Sequence, residues 1–154
     1  MTRRQAREFA MQILFEIQLG NGDVEAVLER NRREKKLKET DTSFLQQLVH
    51  GVLDNISTLD DIIARLSREW DVKRLALVDK TLLRICLFEM LYLPDIPYNV
   101  SINEAIELAK VYSGDDSPKF INGILGKVVE TPSLYIPHAS SPSTETNDTT
   151  GGPG

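Results

Sequence analysis

Ala6, Phe9, Ala10, Ile13, Leu14 and Ile17 recur at three- and four-residue intervals, the period of a helix with one buried face, until Gly20, Asn21 and Gly22 break the run. Thr2 and Gln5 precede it at capping-box spacing, so a first helix is predicted from the start of the chain. Asp23 is placed to cap a second helix carrying Val24, Val27 and Leu28; the apolar period then lapses, which predicts a loop or a frayed helix end. From Ser43, the set Phe44, Leu45, Leu48, Val49, Val52, Ile56, Leu59, Ile62, Ile63 and Leu66 stays in helical phase to near Trp70. That pattern predicts one long helix, or two with a bend at Ser57 and Thr58.

Leu75 to Leu93 is apolar on nearly every side and free of glycine and proline, the mark of a central helix, and Pro94 to Pro97 ends it. Ser101 and Glu104 have capping-box spacing ahead of Ile102, Ala105, Ile106, Ala109 and Tyr112, with Gly114 as the stop. Ser117 as N-cap and Pro118 as first helical residue predict a last helix with Ile121, Ile124, Leu125 and Val128 inward. No segment alternates strictly between polar and apolar. The expected fold is all-α, with six or seven helices.

After Glu130 the composition changes: residues 131–154 hold four of the seven prolines, many Ser and Thr, and no Lys or Arg. Such a segment cannot bury enough apolar surface to offset its ordering entropy, so a folded domain is expected over 1–130 and a disordered tail over 131–154, in which Leu134, Tyr135 and Ile136 could dock locally. A domain of this size buries about two-thirds of its unfolded surface, which needs no staple. Cys86 is the only cysteine and lies in an apolar run, where a buried, inert thiol is expected. No run approaches the roughly 18 apolar residues of a membrane span, and the charged start is no signal peptide, so a cytoplasmic location is expected.

The formal charge is −5, which argues against a nucleic-acid partner until the charges are placed. Six basic residues face one acidic residue between Arg30 and Lys38, and Arg3, Arg4 and Arg7 stand against Glu8 at the start. The three arginines are expected to gather on the exposed side of the first helix, opposite Ala6, Phe9 and Ala10. Such a patch suits contacts to phosphates, although a charged helix end is also an ordinary solvated face.

Chemistry for catalysis is scarce. Two histidines, His50 and His138, leave no material for a His-based metal site or a nucleophile system, so no catalytic residue, metal or cofactor is expected. The pairs Asp60-Asp61 and Asp115-Asp116 are adjacent in sequence and read as caps and turns. Arg84 interrupts the most apolar helix and needs a partner there, for which Glu89, Glu104 and Glu107 are candidates.

Several segments, RRQAREFAMQIL, Phe44 with His50-Gly51-Val52, LVDKTLLRICLFEM, DIPYNVSINEAIELAK and DSPKFINGIL, together resemble in order and spacing the NusB family of bacterial transcription antitermination factors. The likeness runs from residue 3 to about 130. It implies two packed helical bundles and a binding role without catalysis. In that family NusB pairs with the ribosomal protein NusE, and the pair binds the single-stranded boxA element of ribosomal RNA leaders. Other Nus factors and RNA polymerase complete a complex that reads through terminators, and some members form homodimers.

Carried onto this chain, the family's arginine-rich RNA-binding motif falls on Arg3, Arg4 and Arg7, with Gln5 where arginine is frequent. The resemblance extends the RNA surface to Asp116, Lys119, Phe120 and Asn122, where Lys119 can meet phosphate and Phe120 can stack on a base or pack in the core. It places Phe15 and Asp79 on the NusE-facing surface. A helical adaptor that binds proteins alone remains the alternative. The same domain fused to a ribosomal RNA methyltransferase would need a catalytic domain, and a small hydrolase would need a nucleophile motif; neither is found in the sequence.

Overall fold

The computed structural model describes residues 1–20, 22–67 and 75–136. Among them are eight α-helices: α1 Arg3–Gln18, α2 Val24–Glu34, α3 Ser43–Asp54, α4 Ile56–Leu66, α5 Leu77–Tyr92, α6 Tyr98–Tyr112, α7 Ser117–Glu130 and α8 Pro132–Tyr135, with a short 3₁₀ turn at Glu39–Asp41. Helix α5 is central. It packs on α1 and α3 of an N-terminal group that α2 completes, and on α4, α6 and α7 of a second group. Every residue from Thr81 to Leu91 is buried, which is why its sequence shows no polar face.

The capping box of α1 forms as its spacing predicts: Gln5 N–H donates to Thr2 Oγ1 at 3.0 Å and Thr2 N–H to Gln5 Oε1 at 2.9 Å. Asp23 caps α2 by accepting from Ala26 N–H at 3.2 Å. The apolar run from Ser43 divides into α3 and α4 at Asn55, two residues before the expected bend. There Gly51 O accepts twice from Asn55, from its backbone N–H at 3.2 Å and from its side-chain amide at 2.8 Å. The expected end near Trp70 lies outside the described residues. Gly51 permits a close crossing of α3 and α5, since a Cβ there would overlap the Phe88 ring.

Three sequence assignments are corrected. Helix α6 starts at Tyr98, with Pro97 in extended conformation before it, so Ser101 and Glu104 lie inside the helix and form no capping box. Helix α7 is preceded by Asp116 as N-cap, which puts Ser117 and Pro118 in its first turn. The described structure also continues past the expected domain end at residue 130, into α8. Pro132 and Ile136 are buried, Arg65 Nη1 donates to Leu134 O at 3.2 Å, and the Arg65 guanidinium lies 5.2 Å from the Tyr135 ring centre. The apolar residues of 132–136 therefore offset the ordering of their own short segment.

Candidate nucleic-acid interface

The three arginines of α1 occupy three different environments. Arg3 is exposed, and its guanidinium lies 4.6 Å from the centre of the Phe44 ring on α3, with no ion pair among the described residues. Arg4 is 66% exposed at its side chain and donates through Nε and Nη2 to both oxygens of Glu104 on α6, at 2.9 and 2.7 Å. This pairing holds the Glu104 carboxyl below its ordinary range, mainly through the hydrogen bond from Arg4. The fork to Glu104 uses two of the five N–H donors of the Arg4 guanidinium.

Arg7 is only 4% exposed, contrary to the expected outward position. Its Nε and Nη2 donate to Glu89 Oε2 at 2.7 Å and Oε1 at 2.9 Å, and the Ser101 hydroxyl donates to the same Oε1 at 2.6 Å. The reason is angular. Arg7, Met11 and Leu14 stand at i, i+4 and i+7 and are buried together, so the inward face of α1 is wider than the apolar stripe and takes in Arg7. A signal was present in Glu89, a carboxylate in the most apolar helix that itself demanded a buried cation.

Arg84 finds a partner that the sequence reading did not name. Its Nε and Nη2 donate to Asp60 of α4 at 2.8 and 2.9 Å, while Glu89 and Glu104 are engaged by Arg7 and Arg4.

The second part of the site lies beyond the other end of α6. This helix runs parallel to α1: Glu104 meets Arg4, and eight residues on, roughly 12 Å by helical rise, the Tyr112 hydroxyl donates to Glu8 and accepts from Gln12 Nε2 at 2.9 Å. The chain then turns into α7. Asp116, Lys119 and Asn122 are exposed there, and Phe120 is half-buried against the core. Lys119 has no hydrogen bond or ion pair among the described residues.

Asp79 is turned inward rather than toward a partner. It is buried in the first turn of α5 and accepts from the hydroxyls of Ser113 at 2.7 Å and Ser117 at 2.9 Å, tying the α6–α7 junction to α5. Phe15 is half-buried on α1, one turn before the exposed Leu19.

The three basic residues of α2 are all paired within the molecule. Arg30 pairs with Glu16 and Glu34, while Arg32 and Arg33 pair with Glu29. His50 lies on the surface beside Glu25, with Nε2 at 3.2 Å from its carboxylate. Burial pushes the Cys86 thiol well up, as suits an inert core residue. No three metal-ligating side chains gather among the described residues, and no helix there is long and apolar enough to cross a membrane.

A family model described as the NusB family matches residues 4–130. Transcription antitermination protein NusB of Pelotomaculum thermopropionicum is 46% identical over 138 residues, covering 89% of this chain and 95% of the relative. The protein of the same name from Carboxydothermus hydrogenoformans is 50% identical over 135 residues, covering 84% and 94%. Among solved structures, T. maritima NusB is similar with a TM-score of 0.71 at 36% identity, over 84% of this chain and 92% of that one. A structure of antitermination factors NusB and NusE in complex with dsRNA shares the fold, with a TM-score of 0.73 at 23% identity over 84% and 98%. Since the family model and relatives of nearly equal length span the whole helical domain, this chain belongs to the NusB family.

Proposed function

We propose that this chain is a cytoplasmic transcription antitermination factor that binds boxA RNA together with NusE and promotes read-through by RNA polymerase. The observation that carries the reading is the pair Arg3 and Arg4 at the start of α1, both exposed, with Arg3 free of any carboxylate among the described residues. Lys119, Asn122 and Asp116 extend the surface at the start of α7, beside the half-buried Phe120. Arg7 supports the surface from beneath, and Asp79 does the same for the α7 end, which leaves the half-buried Phe15 and the exposed Leu19 as the apolar contact for NusE. Other Nus factors join the same assembly, and a homodimer of the chain would cover the RNA surface. Of the expected tail over 131–154, residues 137–154 lie outside the described residues.

A second reading, a protein-binding adaptor without RNA contact, is favoured by one observation: Arg4 and Arg7 are both held by carboxylates in a chain of net charge −5. Electrophoretic mobility of a short boxA RNA with the chain alone and with NusE decides between them. The antitermination reading expects weak retardation by the chain and strong retardation once NusE is added. Equal affinity with and without NusE, or none in either case, overturns it.

A further inference from the structure

Helix α2 runs antiparallel to α1 and returns the chain to the arginine end. Arg30 pairs with Glu16 near the C-terminus of α1, Lys35 Nζ lies 5.0 Å from the centre of the Phe9 ring, and Asp41 Oδ2 lies 3.8 Å from the Met1 nitrogen. The connection between Lys35 and Asp41 therefore sits beside the start of α1, and the two basic segments of the sequence meet at one end of the molecule.

The turn is a Schellman motif, in which Leu37 N–H donates to Arg32 O at 2.9 Å and Lys36 N–H to Arg33 O at 3.1 Å. Its left-handed position is held by Lys36, with φ at 55°, where glycine is the usual residue. The turn thus carries an exposed lysine despite a backbone that disfavours it.

The carboxylates nearby are directed elsewhere. Glu34 pairs with Arg30, and Asp41 faces the Met1 nitrogen. Glu29 is engaged by Arg32 and Arg33. Lys36 and Lys38 are exposed and have no hydrogen bond or ion pair from their side chains among the described residues. Lys35 donates to Asn31 Oδ1 at 2.9 Å and lies over the Phe9 ring, so of the six basic residues between Arg30 and Lys38 these two are the ones without a side-chain partner among the described residues.

We propose that Lys36 and Lys38 continue the cationic face of Arg3 and Arg4 across the α2–α3 connection and contact phosphates of the same RNA strand. The proposal rests on the RNA-binding reading above and assigns phosphates rather than bases, because mobile ammonium groups position a strand without reading it. A purely structural role is available to these lysines, since cations near a helix C-terminus favour its dipole. That role affects stability alone.

The test measures affinity of the full chain with NusE for a short single-stranded boxA RNA across a salt series, for wild type, Lys36→Gln/Lys38→Gln and Arg3→Ala/Arg4→Ala. The lysine variant is expected to flatten the slope of log affinity against log salt by up to about 1.4, at roughly 0.7 per phosphate contact, with an unchanged melting temperature. Lys36→Arg/Lys38→Arg restores the slope. A wild-type slope in the lysine variant, with flattening in the arginine variant, overturns the extension and leaves the RNA reading intact. No RNA binding by wild type, or no change in either variant, overturns both.

Discussion

Arg7 and Glu89 form a buried two-point ion pair between α1 and α5, with the carboxylate also holding Ser101 of α6. One residue of the arginine motif thus joins three helices from inside. Removing one partner of such a pair typically costs about 3–5 kcal/mol, since the other charge stays buried without compensation. Arg7→Ala is expected to destabilise the fold by that order in denaturant unfolding, and Arg7→Met/Glu89→Leu to lose much less. An unchanged unfolding midpoint for Arg7→Ala, with weakened RNA binding, would return Arg7 to the RNA surface.

The Arg84–Asp60 pair is asymmetric, because Arg84 is 6% exposed at its side chain and Asp60 is 42% exposed. Arg84→Met keeps the packed stem and lets Asp60 hydrate, so a loss below about 1.5 kcal/mol is expected. Asp60→Ala strands a buried guanidinium and should lose about 3 kcal/mol or more. Equal losses, measured by chemical denaturation, would count against this description.

Gly51→Ala tests the crossing of α3 and α5. The added methyl must displace the Phe88 ring, and overpacking of this kind costs about 1–3 kcal/mol. Phe88→Leu in the same chain should recover most of the loss. If Gly51→Ala melts like wild type, the helices are not in contact there.

Truncation distinguishes the docked segment 132–136 from residues 137–154. Ending the chain after Ile136 is expected to leave the melting temperature unchanged, whereas ending it after Glu130 exposes the site of Pro132 and Ile136. Loss of one buried isoleucine alone is worth about 1.5–3 kcal/mol. Identical melting curves for the two truncations would show that 132–136 contribute nothing to stability.

The helices and their order were legible because periodicity and capping act locally: Thr2 with Gln5 and Asp23 with Ala26 are bonded as their spacing implies. Ser101 and Glu104 have the same local pattern, yet tertiary partners claim both, Glu89 for the first and Arg4 for the second. The site was legible in its residue types and not in their directions. Arg3 and Arg4 face outward as expected, but the burial of Arg7 depends on Glu89, 82 residues away, and that of Asp79 on two serines of the α6–α7 junction. Pairing across the core has no local spacing to reveal it.

The central claim, that the exposed end of α1 holds RNA, is tested most directly by the salt dependence of boxA RNA affinity for the chain with NusE. Arg3→Ala/Arg4→Ala is expected to flatten the slope by up to about 1.4. Arg30→Ala/Arg32→Ala/Arg33→Ala serves as the control, since Glu16, Glu34 and Glu29 already engage those arginines, and its slope should match wild type. Equal flattening in the two variants would mean diffuse electrostatic binding and would contradict a site on α1.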